Sequence, residues 1–137
     1  MINFNCFHQL VGETIMHCQR IENDVKLIYA KMLDGNFNEN YADVENRTLG
    51  DVLKKLEVLD NSDNAPYFDK QEYDLLRNIK NFRNWLVHNS YSDFLYEDGN
   101  AFYKSLNTCY QKVSNFHEKL CQLSERIEEN RLNICSG

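Results

Sequence analysis

FNCFHQLVGETIMHCQRIENDVKLIYAKM, residues 4–32, decides the fold class. Phe4, Phe7, Val11, Thr14, Cys18, Ile21, Val25, Ile28 and Met32 recur at alternating steps of three and four. That period belongs to a helix with one apolar face, sustained over about four heptads. The end of the chain repeats it, through Phe102, Leu106, Cys109, Val113, Phe116, Leu120, Leu123 and Ile127. Two helices of roughly 30 residues each would run about 45 Å. A helix of that length with a single apolar stripe needs partners, so the segments between them must supply packing faces.

Two shorter helices do so. TLGDVLKKLEVL (48–59) opens with Thr48 as N-cap and Asp51 in its first turn, with Leu49, Val52, Leu53, Leu56 and Leu59 on one side. Asp69 caps a third helix: Glu72 stands three residues on, and Phe68 and Tyr73 occupy the staple positions. Its stripe is Leu75, Ile79, Phe82 and Leu86, and it runs to about Asn89. Asp34–Asn46, DNSDNAP (60–66) and SYSDFLYEDG (90–99) read as connections. The expectation is an all-α, up-and-down, antiparallel four-helix bundle, two helices long and two shorter, forming one domain over residues 1–137.

Composition bounds the function. One proline and five glycines leave little material for a turn-rich β architecture. A net charge of −6 argues against a surface that coats nucleic acid, although a small site gripping one or two phosphates is compatible with it. The five cysteines, at 6, 18, 109, 121 and 135, are odd in number and lack C-x-x-C spacing, so no zinc or disulfide framework is legible. Cys18 and Cys109 fall on the apolar seams as small core residues. His8 and His17 neighbour Cys6 and Cys18, but adjacent helical positions point in different directions. His117 and Cys121 are one turn apart, a spacing able to hold a metal, with no further ligands apparent; the expectation is a packed pair and no metal or cofactor. No secretion signal and no membrane span is visible, which makes a reducing cytoplasm the default.

One stretch departs from plain packing sequence: NFRNWLVHNSY, residues 81–91. Arg83 sits at the edge of the apolar stripe. Asn84 lies about 100° round from it and His88 about 40° further, one turn along. Residues 75–92 contain Arg77, Lys80, Arg83 and His88 and no acid, although the chain holds 21. Cations late in a helix also suit its dipole, so the clustering has a structural explanation too. Trp85 projects away from the stripe and is a candidate for packing on the second helix, for a dimer interface or for exposure.

RNWLVH (83–88) resembles the R-x4-6-H motif of the HEPN superfamily in its four-spacer form. Asn after the Arg and apolar residues before the His are usual there. TLGDVLKKL is similar to the short second helix of these domains, and a long last helix follows the motif helix. The resemblance implies a metal-independent endoribonuclease, a toxin or phage-defence effector, whose homodimer brings two motifs into one cleft. Arg83 would hold the scissile phosphate, His88 would act as general acid or base, and Asn84 and Tyr91 would support them. Arg77 and Lys80 would contact the RNA. The implied partners are RNA, a second copy of the chain, and an antitoxin or regulatory protein. The chain departs from one toxin branch, which carries Tyr two residues after the His. Here that place is Ser90 and the tyrosine is Tyr91, which argues against the modifying antitoxin of that branch.

The chemistry is self-consistent. RNA carries its own nucleophile, an imidazole exchanges protons near neutral pH, and a guanidinium forks onto phosphate oxygens. Catalysis requires Arg83 and His88 to meet over a solvent-open groove. The alternatives are a non-catalytic HEPN module that binds a protein or nucleotide, and a structural bundle in which Arg83 makes an ordinary ion pair.

Overall fold

The computed structural model describes residues 3–62 and 65–136, the side chains of residues 135 and 136 excepted. Residues 63 and 64 of the expected 60–66 loop, and the side chain of Cys135, lie outside the described residues. The described chain is all-helical: α1 (Phe4–Met32), α2 (Phe37–Val44), α3 (Leu49–Asp60), α4 (Lys70–His88) and α5 (Gly99–Ser136).

The expected starts form as local chemistry dictates. Thr48 accepts the Asp51 N–H at 3.2 Å. Asp69 and Glu72 close a reciprocal capping box, with bonds of 2.8 and 3.0 Å. Phe68 meets Tyr73 edge-on at 5.7 Å, completing the staple. The buried stripe of α4 runs through Tyr73, Leu76, Ile79, Phe82 and Leu86. Leu76 therefore takes the core place expected of Leu75, which is only partly buried and faces a cleft shared with α5.

The Asp34–Asn46 segment corrects the expected loop, because it contains α2. Gly35, at φ +99, adopts the left-handed turn after α1. Asn36 then accepts the Glu39 N–H at 3.1 Å and starts the helix. Phe37, Tyr41 and Val44 face the core. The Asn40 amide donates to the Ala30 and Asp34 carbonyls at 3.2 Å, satisfying acceptors that the end of α1 would otherwise leave bare. Asn36→Ala should cost about 1 kcal/mol in a urea titration, the usual worth of an N-cap; no change in midpoint would show that α2 is held by packing alone.

This extra helix reverses the bundle. Asn40 sits at Ala30 and Asp34 by the end of α1, whereas Tyr41 bonds Asn23 and Lys26 bonds the Glu45 carbonyl further down, so α2 crosses back over α1. Then α3 returns, α4 runs antiparallel to it (Arg77 to Glu57, Tyr73 to Asp60), and α5 turns again. The up-and-down order thus has five members, and the first and last helices run parallel. Their contacts ascend together: Glu13 with His117, Arg20 with Glu128, Asp24 with Arg131. The expected antiparallel four-helix order, in which first and last oppose, is corrected on this point.

Two core clusters stack along α1. The upper one joins α1, α3, the start of α4 and Leu120, Leu123 and Ile127 of α5. The lower one joins Phe7, Val11, Phe82, Leu86, Phe94 and Leu106. Phe116 packs against both and stacks on Phe82 at 3.7 Å. Cys18 and Cys109 are buried seam residues, as expected. Phe94 of the 90–99 connection is fully buried, so that segment plugs the lower end of the bundle. No helix among the described residues is long and apolar enough to cross a membrane.

Candidate functional site

Helix α4 carries the motif on its last two turns. Arg83, at the stripe edge, turns toward α1 and pairs with Glu22. Its side chain keeps 30% exposure against 18% for Glu22, so the pair lies at the rim of the core. The side chains of Asn84 and His88 are exposed and make no hydrogen bond or ion pair among the described residues. His88 is the final residue of α4, about 140° round the helix from Arg83. Four clefts are lined by other residues, and none of these four includes Arg83, Asn84 or His88. One chain therefore does not gather the three head groups in a described cleft. The Glu22 contact is the ordinary ion pair that the structural-bundle reading anticipates.

Tyr91 goes elsewhere. Its hydroxyl and His8 Nδ1 share a 2.6 Å hydrogen bond, and the two rings stack at 5.4 Å. Phe7 packs edge-on to the same ring. Burial raises the Tyr91 phenol above its ordinary value. Its role is to tie the end of α4 to the start of α1, so the expected support of Arg83 and His88 is not what it does within one chain.

The two expected RNA contacts line one cleft against α3 but differ in their partners. Arg77 is held by Asp74 and by Glu57, the latter at 2.9 Å. These carboxylates, Asp74 first, raise its guanidinium further above its ordinary value and offset its charge. Arg77 thus clamps α4 to α3 through Glu57. Lys80 is exposed and makes no ion pair among the described residues; it lines a cleft with Thr48, Asp51 and Lys54.

Trp85 turns toward α5. Its indole N–H donates to Asp93 at 3.1 Å, and the Lys112 ammonium sits 3.7 Å from the ring centroid. These contacts set it against α5 and the 90–99 connection. The residue beside the motif that sequence reasoning missed is Glu22. An acid beside Ile21 at the seam edge of α1 was the available signal, but only the tertiary fold says which cation it meets.

Among the described residues, one group of histidine, cysteine and carboxylate side chains is close enough to hold a metal ion. It is His17, His117 and Cys121, between α1 and α5 and apart from the motif. Comparison with known proteins finds no matching family model, no matching curated relative and no matching solved structure.

Proposed function

We propose that this chain is a cytoplasmic, metal-independent endoribonuclease of the HEPN kind, acting as a homodimer in a toxin or phage-defence role. In this reading α1, α3, α4 and α5 correspond to the four HEPN helices, and α2 is an added turn-back. The observation that carries it is the pairing of an anchored arginine with an unpartnered histidine on one helix end. Glu22 engages one Nη of Arg83. A guanidinium has five N–H donors, so its other edge remains free for a phosphate, and pinning reduces the entropy lost on binding. His88 is free in solvent at the helix terminus.

With about 140° between Arg83 and His88 on one helix, the reading requires a second copy. The Asn84–His88 row of one chain faces the Arg83 edge of the other. One imidazole takes the proton from the 2′-hydroxyl as its oxygen attacks phosphorus. Another delivers a proton to the departing 5′-oxygen, leaving a 2′,3′-cyclic phosphate and a 5′-hydroxyl. Arg83 stabilises the charge that develops on the phosphoryl oxygens.

The test is incubation of the pure chain with total RNA, without added metal and with or without EDTA, followed by end-group analysis. Fragments ending in 2′,3′-cyclic phosphate are expected in both arms. RNA that stays intact over a wide range of protein concentrations would remove the reading.

A second reading has its own observation. The Glu22 carboxylate already offsets the Arg83 charge, which suits a non-catalytic HEPN module that binds a protein or nucleotide. Growth arrest on expression, relieved by His88→Ala, separates the nuclease from this module.

A further inference from the structure

The contact between α1 and α5 contains a cluster that the motif does not use. Cys121 Sγ lies 3.7 Å from His17 Nε2, and 3.8 and 3.9 Å from the two ring nitrogens of His117. The carboxylate of Glu13 stands 3.8 Å from His117 Nε2. Glu13 and His17 are one turn apart on α1, and His117 and Cys121 one turn apart on α5. Because the two helices run parallel, each presents its pair at the same level.

Ordinary hydrogen bonding does not account for this arrangement. A thiol is a weak donor and a weak acceptor, so it binds the facing imidazoles only weakly through hydrogen bonds. His17 Nδ1 is buried and has no partner. Each neutral imidazole adds one N–H and one lone pair, and with His17 Nδ1 unpaired the cluster's hydrogen bonding is incomplete. Arg20, the nearest cation to His17 along α1, is engaged by Glu128 at 3.2 Å.

We propose that His17, His117 and Cys121, with Glu13 beside His117 as a further donor, form a binding site for a borderline-soft divalent transition ion, zinc in the first instance, that clasps α1 to α5. The dimensions fit. Zn–S of about 2.3 Å and Zn–N of about 2.0–2.1 Å at a tetrahedral angle place sulfur and nitrogen about 3.6 Å apart. The observed separations from sulfur are 3.7 to 3.9 Å. One thiolate, two imidazoles and a carboxylate select zinc over magnesium or calcium, which prefer all-oxygen shells. Three protein donors from two helices hold the ion, and the Glu13 carboxylate, 3.8 Å from His117 Nε2, stands beside them to complete the sphere. Binding replaces the proton on Cys121 Sγ, which leaves to solvent as the sulfur–metal bond forms. Burial raises the Cys121 thiol, and burial together with His117 lowers His17; the neutral imidazole is the form a metal takes.

The full chain, stripped by chelator and titrated with cobalt(II), should take up one equivalent. The visible bands of a tetrahedral site and a thiolate-to-cobalt charge-transfer band should appear together, and zinc should bleach both. Cys121→Ser should abolish the charge-transfer band and weaken zinc by about 100-fold or more. The exposed Cys6→Ser should change neither. X-ray absorption at the zinc edge of the wild type needs no variant and should count one sulfur with two imidazoles. Failure of the wild type to bind saturably, a spectrum indifferent to Cys121→Ser, or a zinc shell without sulfur overturns the assignment.

Discussion

In His88→Ala, RNA cleavage is expected to fall by about 10²–10⁴-fold, the usual contribution of a positioned acid or base, with no change in thermal stability. The combination is the informative part. His88 is exposed at the end of α4 and has no partner among the described residues. Removing it takes away no packing and no ion pair, and such surface changes usually stay within about 0.5 kcal/mol. Arg83→Ala should behave differently. It strands the largely buried Glu22 carboxylate, so activity and stability should fall together. Single-turnover cleavage of a labelled RNA, beside thermal melts of the same preparations, separates the two variants. Undiminished cleavage by His88→Ala would assign the activity to a contaminant or to other residues.

The largest loss of stability is expected at Asp60. It is 1% exposed and ends α3. Its carboxylate accepts the Tyr67 N–H at 2.8 Å, the Phe68 N–H at 3.1 Å and the Tyr73 hydroxyl at 2.6 Å. One side chain thereby joins the end of α3, the approach to α4 and the first turn of α4. Burial, and then this bond, holds the Tyr73 phenol far above its ordinary value, so the hydroxyl remains a donor at any ordinary pH. Asp60→Ala leaves three donors without their acceptor, two of them on buried residues. At about 1–3 kcal/mol for each buried unsatisfied group, partly relieved by relaxation, the loss should be about 3–5 kcal/mol. Asp60→Asn keeps one acceptor oxygen and should lose less. Urea unfolding reads both, through a lowered midpoint at constant slope. A loss below about 1 kcal/mol for Asp60→Ala would mean that water replaces the carboxylate and that this junction is not sealed.

Asp60 also marks where reading from sequence stops. Its neighbours in the chain are loop-forming residues, and it reads as the first residue of a connection. Its partners lie seven to thirteen positions away, beyond any helical or turn spacing. The Asp69–Glu72 capping box has the opposite character. Both partners are within one turn, so composition and spacing suffice to place it. Helix α2 lies between these cases. Its cap, Asn36 with Glu39, was in reach of a local reading, but eight residues with three aromatic or aliphatic contacts carry a weak period beside the long stripes of α1 and α5. Missing α2 had a global consequence, because one additional reversal changes the relative direction of the first and last helices.

The candidate motif divides in the same way. Local spacing places Arg83, Asn84 and His88 on the last turns of α4. Glu22, 61 residues earlier, fixes where the guanidinium goes. His117 and Cys121 form a legible one-turn pair, and His17 joins them from 104 residues before Cys121.

The sequence by itself determined the helical class, the caps of α3 and α4, the long apolar seams and the turn-by-turn neighbours along each helix. These depend on backbone geometry and on side chains within one or two turns, and both are properties of short windows. Only the tertiary structure decided that α1 and α5 run parallel, that Arg83 meets Glu22 while His88 stays in solvent, and that His17 faces His117 and Cys121. Each of these joins groups brought close by chain reversals, and the free energy of burying the shared core selects among pairings that the separate helices leave open.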